Sequence, residues 1–451
     1  MPVTTIEVPA LGNRSHLVHD GRRAVVVDPP RDAGALERAA EEAGVDIAAV
    51  ADTHVHNDYV SGGLALARRH GADYLVAADE PVAFERVGVR GGDVLTYGDV
   101  SLEVLTTPGH TRHHQSFLVR VPDETPALFS GGSLLVGTVG RTDLVDRRLA
   151  MHLAGAQWDS ARALAALDPD TLLLPTHGFG SFCAGTAAAP PDDETPATIG
   201  SELGTNPALL SDRADFAAEL VSGFGPVPAY YPHMDPLNRA GAGTPVPAHP
   251  VTAQQVAAAV HAGQWVVDVR DRATHAQGHP RGSVGIEHSD QFATYVGWLV
   301  PWGAELVLLA DRPDALAAAA HDLAGIGIEG VAGHVLGRGA GLDSRFRRTD
   351  WAGYREAVTS PAGPAPVVVD VRQRDEWAAG HLVGAVHMPI QDVDRCWQAL
   401  PDGELWVHCK SGYRAGIGAS LLHRRGRAVV HIDDGWDRVD ELDLKTIPAA
   451  A

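Results

Sequence analysis

The stretch THVHNDYVSGG, Thr53 to Gly63, sets two histidines one residue apart, His54 and His56, with Asp58 two positions further on. The preceding run IAAVADT (47–53) reads as a buried strand, and GGLALARRHG after it reads as a helix, so the histidines fall where a strand ends. Loops in that position carry function more often than packing. Imidazoles and a carboxylate gathered on one tight loop are metal-ligand chemistry.

Outward from this stretch, TIEVPAL, SHLVHD and RAVVVDPP are short β-rich runs separated by GNR and GRR turns, which predicts a meander. An Ala/Glu-rich helix follows over Ala33 to Ala43. Strands return between Asp93 and Val121, with His110 on the loop TTPGHTRHH between two of them. LFSGG (128–132) and TLLLPTHG (171–178) are further apolar strands, ending at Gly132 and His177. Four strand ends bearing His54 and His56, His110, Gly132 and His177 suit a two-sheet sandwich with helices outside and these loops on one edge. The opening stretch resembles the HxHxDH signature of the metallo-β-lactamase superfamily, with Tyr59 where the family has its last histidine. The resemblance covers roughly residues 1–238 and implies an αββα sandwich.

RAGAGTPVPAHP, within 239–250, is a Gly/Pro-rich linker without periodicity. Beyond it the chain repeats itself. WVVDVRDRATHAQGHPRGSVG, from Trp265, aligns without gaps on VVVDVRQRDEWAAGHLVGAV, matching Asp268 with Asp370, Arg270 with Arg372 and His279 with His381. The tail is therefore expected to be a duplicated domain, residues 251–357 and 367–451, joined by a linker over 358–366. Alternation of apolar strands and helices in each copy predicts a small parallel α/β sheet.

In the second copy ELWVHCKSGYRAGIGASLL reads as a strand, a short loop opened by Cys409, and a helix. Successive N–H groups of such a loop, with the helix's positive end, stabilise a thiolate or a bound anion. Lys410 and Arg414 add positive charge, and Ser411, Gly412 and Tyr413 complete the cradle. The loop resembles the rhodanese active site, in which cysteine accepts a sulfane sulfur as a persulfide and passes it on. Cys409 and Arg414 enclose four residues, one fewer than in a cysteine-phosphatase loop, which favours sulfur over phosphate. DVR and GH(x2)GA resemble rhodanese too. In the first copy ELVLLADRPDAL places Ala310 at the cysteine position, so that copy is expected to be an inactive, structural or docking module.

GRTDL (140–144), GSFCAG (180–185) and TIGSELGTNPALL (198–210) resemble persulfide dioxygenases, which oxidise a thiol persulfide at mononuclear iron. The resemblance implies iron held by the first histidine of HxHxDH, the histidine of GHT and the aspartate of a TGD motif. These fall on His54, His110 and Gly132, so the carboxylate is missing. His54, His56 and His110 remain as a three-imidazole set for iron or, alternatively, zinc; a metal-free vestigial site is the third alternative. Asp58 and His177 are remnants of a second site. Arg141 either orients a persulfide or pins a loop with Asp143. His113 and His114 are expected to be solvent-exposed, and Cys183 to be a buried small residue.

At 451 residues the chain exceeds one compact core. A formal net charge of -21 argues against nucleic acid or an anionic membrane as partner. No apolar run reaches the roughly 18 residues that span a bilayer, and the N-terminus lacks a signal pattern, so a cytoplasmic location is expected. Three scattered cysteines, Cys183, Cys396 and Cys409, do not form a disulfide framework. The sequence thus predicts a sulfur-handling enzyme acting on a low-molecular-weight thiol persulfide or thiosulfate, with a homo-oligomer allowed. A thioester metallohydrolase and a non-catalytic sulfur-binding protein are the alternatives.

Overall fold

The structure is a computed structural model that describes residues 2–9, 11–178, 181–185, 196–337, 341–360 and 366–448. Gly180 of GSFCAG and residues 361–365 of the 358–366 linker lie outside the described residues. The chain divides into two compact units, Met1–Pro245 with Ala324–Gly327, and Val246–Leu323 with Ile328–Ala451.

In the first unit six strands form one sheet in sequence order: β1 (Val3–Val8), β2 (Asn13–His19), β3 (Arg23–Val27), β4 (Asp46–Ala51), β5 (Asp73–Ala77) and β6 (Val87–Val89). The first three run antiparallel as a meander, and β3 to β6 are parallel. A second sheet, ordered β11-β10-β9-β8-β7, comprises β7 (Val94–Tyr97), β8 (Val100–Thr106), β9 (Gln115–Arg120), β10 (Ala127–Gly131) and β11 (Leu172–Pro175). Val25, Val27, Ala49 and Leu75 of the first sheet pack on Leu102, Phe117, Val119 and Phe129 of the second. The opposite face of the first sheet, Val26 and Val50 among it, packs against Leu36 and Ala40 of helix Gly34–Ala43 and Leu66 of helix Gly63–His70. Leu118, Leu128 and Leu173 pack against helices Ala150–Leu164 and Arg213–Ser222. Strands covered on both faces must be apolar throughout, which is why RAVVV carries no alternation. Each fully buried Val, Leu or Phe contributes about 1.5–3 kcal/mol to the sandwich.

The sheet register brings the functional loops together. Thr106 pairs with Gln115 and Phe117 with Phe129, so the His110 loop lies at the same edge as the end of β10. Gly131 pairs with Pro175, which adds the end of β11. The Gln115 N–H donates to the Thr53 carbonyl at 2.8 Å, joining that edge to the end of β4.

The second unit contains the repeat as two sheets of the same topology. One is ordered β12-β16-β15-β13-β14, from β12 (His249–Pro250), β13 (Trp265–Asp268), β14 (Val284–Gly285), β15 (Leu306–Ala310) and β16 (Ala332–Val335). The other is ordered β17-β22-β21-β18-β20, from β17 (Arg347–Thr349), β18 (Val367–Asp370), β20 (Val386–His387), β21 (Leu405–His408) and β22 (Val429–Ile432), while β19 (Gly380–Leu382) pairs apart with β23 (Thr446–Pro448). All pairs within the two five-stranded sheets are parallel. The second sheet draws its edge strand from Arg347–Thr349, ahead of the 358–366 run, and the first draws His249–Pro250 from the end of the 239–250 run. Among the described residues no helix is long and apolar enough to cross a membrane.

Candidate active sites in the two units

At the loop edge of the first unit His54, His56, His110 and His177 are all 0–3 % exposed. In His54, His110 and His177 the outer nitrogen, Nδ1, is tied to a fixed acceptor. The Asp28 carboxylate accepts from the Thr53 N–H and the Thr53 hydroxyl, each at 2.7 Å. With its proton committed to Asp28, the Thr53 oxygen accepts from His54 Nδ1 at 2.9 Å. His110 Nδ1 donates to the Arg141 carbonyl at 2.7 Å. Asn13 donates its amide to Asp58 at 2.6 Å, which turns its oxygen to accept from His177 Nδ1 at 3.0 Å. Such outer-nitrogen bonds fix the tautomer and ring orientation of metal-ligating histidines.

Among the described residues three groupings place ligand atoms close enough for one ion: His54, His110 and His177; His56, Asp58 and His177; Asp28, Asp52 and His56. The set His54, His56 and His110 expected from the sequence is not among them. His56 turns aside: its Nε2 lies 3.3 Å from Asp28 Oδ1 and 3.0 Å from the Tyr59 hydroxyl, on whose ring it stacks at 4.3 Å. Burial opposes its charge, but Asp28, Asp52 and Asp58 raise its pKa above the usual imidazole value. Burial and the surrounding imidazoles push His54 well below that value. Burial also holds His110 and His177 down to about 3, so all three offer neutral donors. The donor set fits a divalent transition metal.

Gly132 stands at the position lacking the carboxylate, and its surroundings are filled. A Cβ there would lie 2.3 Å from Cδ2 and 2.6 Å from Cγ of His110. Neighbouring Gly131 takes a left-handed φ of 56°, with the His114 ring 2.5 Å from where its Cβ would be. His114, expected to be exposed, is instead completely buried. Its Nε2 accepts from the Gly132 N–H at 2.9 Å while its Nδ1 bonds Thr107. Gly131 makes room for its ring and the Gly132 N–H bonds it, a packing consequence that the loop's polar sequence concealed.

Arg141 is buried and fully engaged. It grips Asp143 through two bonds of 2.7 and 2.9 Å and donates to the Gly225 carbonyl at 2.9 Å. Its own carbonyl orients His110, so its observed contacts pin the loop. TIGSELGTNPALL has structural work as well: Thr198 and Ser201 form a capping box, and Asn206 donates to the carbonyls of Leu135 and Thr138. Cys183 is buried, as expected, with its sulfur 4.0 Å from the Tyr231 hydroxyl. Asp28, Asp52, Asn13 and Gln157, whose amide oxygen accepts from the His110 N–H, were missed from the sequence. Of these only Asp28 had a visible signal, an acid closing an all-apolar strand before Pro-Pro.

In the second unit Cys409 directly follows β21, 1 % exposed, at the head of the loop Lys410–Arg414. The loop's carbonyls are tied down. Lys410 O accepts from the Trp436 N–H at 2.8 Å, and Gly412 O accepts from His431 Nε2 at 2.8 Å. Peptide planes held in this way leave their N–H groups free to converge on an anion. Gly412 has φ 87°, and a Cβ there would meet the Asp433 carboxylate. Arg414 pairs with Glu376, with one contact at 2.8 Å. Lys410 and Ser411 are exposed.

The thiol-less copy reaches this loop and the helix Tyr413–Arg424 that follows it. The Tyr413 hydroxyl donates to the Glu287 carbonyl at 2.8 Å, and the Ser420 hydroxyl accepts from the Gly285 N–H at 3.1 Å. Arg272 bridges Glu287 at 2.6 Å and Asp433 at 2.7 Å. Burial works against the Asp433 carboxylate, yet Arg272, His431 and Arg348 hold its pKa below the usual range. Ala310, at the cysteine position of the first copy, is completely buried.

Residues 8–177 match the metallo-beta-lactamase superfamily, and residues 356–441 match the rhodanese-like domain. The chain is 31% identical over 246 residues to a hydroxyacylglutathione hydrolase of Cereibacter sphaeroides, covering 48% of this chain and 91% of that protein. The crystal structure of a metallo-beta-lactamase from Staphylococcus aureus aligns with a TM-score of 0.64 and 26% identity, over 74% of this chain and 99% of that one. That of ETHE1 from Myxococcus xanthus aligns with a TM-score of 0.45 and 27% identity, over 54% and 100%. Fold and site thus define a metallo-β-lactamase fold followed by a rhodanese-like domain. The chain belongs to the metallo-beta-lactamase superfamily.

Proposed function

We propose that this protein is an enzyme of sulfane-sulfur metabolism, a sulfurtransferase working through a Cys409 persulfide. The supporting observation is the loop after Cys409, whose carbonyls at Lys410 and Gly412 are bonded away from the sulfur. In the cycle, the Cys409 thiolate attacks the outer sulfur of thiosulfate or of a thiol persulfide. The new S–S bond forms as the old one breaks, and sulfite or the thiolate leaves with the electron pair. A nucleophile such as cyanide then attacks the terminal sulfur, and the Cys409 thiolate departs. No external oxidant is needed.

For the first unit we propose a metal-assisted reaction on a thiol persulfide. His54, His110 and His177 would hold the ion, which would supply Lewis-acid charge to a bound sulfur anion. Arg141 fixes His110, and Asn13 fixes His177 and Asp58. The name of the relatives raises thioester hydrolysis as a second reading. The turning aside of His56 and the bonds that occupy Tyr59 weigh against the two-metal arrangement such a reading would use.

The test is thiosulfate-to-cyanide transfer by the native chain and by Cys409→Ser. Transfer in the native protein with at least a 100-fold loss in the variant is expected; equal rates would remove the assignment. For the first unit, iron-loaded protein given a thiol persulfide is followed with an oxygen electrode and, in parallel, for thioester cleavage. Cleavage without oxygen uptake would replace the persulfide reading with the hydrolytic one.

A further inference from the structure

We infer that the first unit binds a single divalent transition-metal ion on the Nε2 atoms of His54, His110 and His177, with His177 taking the ligand position that Gly132 leaves without a carboxylate. The inference is independent of sulfur transfer at Cys409, and either can fail alone.

Tautomers and distances carry it. Each of the three rings has its Nδ1 proton committed to an acceptor, Thr53 Oγ1, the Arg141 carbonyl and Asn13 Oδ1, so each Nε2 presents a lone pair. These atoms face one another: His54 Nε2 lies 3.5 Å from His177 Nε2, and the three ligand atoms lie within 4.8 Å of one another. His110 Nε2 is buried with no hydrogen-bond partner. Lone pairs held at this separation without protons between them repel. An ion about 2.0–2.1 Å from each nitrogen in tetrahedral geometry sets its ligands about 3.3 Å apart, close to the 3.5 Å that separates the His54 and His177 nitrogens. An ion at their centre satisfies all three.

The surroundings argue against a second ion on His56, Asp58 and His177 and against the triad His54, His56 and His110. Asn13 already spans the other grouping, donating to Asp58 and accepting from His177 Nδ1. The Tyr59 hydroxyl donates to the Asp28 carbonyl and bonds His56 Nε2, and position 132 offers no bridging oxygen. His56 therefore acts as a partner of Asp28. Three neutral imidazoles leave the ion's charge uncompensated, so its open position favours an anionic fourth ligand, a thiolate or hydroxide.

The full-length protein, stripped with chelator, would be reloaded with Zn2+ or Co2+ and dialysed exhaustively. Retained metal is counted by mass spectrometry, and the visible spectrum of the cobalt form reports its geometry. One equivalent with a tetrahedral cobalt spectrum is expected. His177→Gln, which keeps a polar side chain toward Asn13, and His54→Ala should each weaken binding at least 100-fold, whereas His56→Ala should keep both the equivalent and the spectrum. Circular dichroism of the metal-free variants separates ligand loss from unfolding. Two retained equivalents, none, or loss of metal in His56→Ala with retention in a folded His177→Gln would overturn the inference.

Discussion

Comparison with the family motif suggests an obvious repair, Gly132→Asp, and the structure predicts that it damages the protein. The backbone of Gly132 lies outside the left-handed region, so the cost comes from the side chain. Its Cβ would sit 2.3 Å from His110 Cδ2, far inside contact distance. His110 has little freedom to retreat. Its backbone N–H is held by Gln157 at 2.5 Å, its Nδ1 by the Arg141 carbonyl at 2.7 Å, and the Gly140 backbone closes its other side. Overpacking of this kind costs about 1–3 kcal/mol. Breaking the Arg141 bond strands a buried carbonyl for about 1–3 kcal/mol more. For a unit of this size each kcal/mol lowers the melting temperature by about 2–4 °C, so a drop of about 10 °C is expected. Calorimetry on metal-free native, Gly132→Ala and Gly132→Asp proteins measures it, the alanine isolating the Cβ. Metal titration should show weaker binding in both variants. Melting within about 1 °C of native, with metal held at least as tightly, would refute the reasoning.

Two further outcomes follow from the second unit. Burial lowers the pKa of His408 and of His431 from 6.5 to about 4, so the stability each contributes is complete above pH 6.5 and is lost as pH falls through about 4. At 1.36 kcal/mol per pKa unit this amounts to about 3 kcal/mol apiece, and thermal melts between pH 7 and 4.5 should fall steeply; a flat profile would contradict it. Arg272→Ala removes the bridge from the thiol-less copy to Asp433, with the bond to Glu287, and leaves Asp433 with Arg348. A loss of about 1–3 kcal/mol is expected, with a slower sulfur transfer that denaturant titration and steady-state rates would detect.

The strand periodicities and the repeat were legible because they repeat a physical rule many times over. Thr53 to Gly63 announced its strand, its turn and its helix; Asp268 and Asp370 announced two matching sheets. The ligand set was less legible, because spacing along the chain places His54 and His56 together while saying nothing about which nitrogen faces inward. That choice belongs to Tyr59, at the end of the same motif, and to Asn13 and Asp28, residues without a motif that act from β2 and from the end of β3. The burial of His114 was hidden for a related reason: a polar loop reads as exposed unless Gly131, which admits its ring, is seen across from it.

The bonds by which the thiol-less copy holds the Cys409 loop have a consequence for descent. Tyr413 and Ser420 reach the main chain at Glu287 and Gly285, atoms that nearly every amino acid supplies alike. A partner recognised through its peptide groups can change side chains at those positions without releasing its neighbour. The first copy can thus carry alanine at position 310 and other side chains at 285 and 287 while its backbone path still holds the segment beside the thiol.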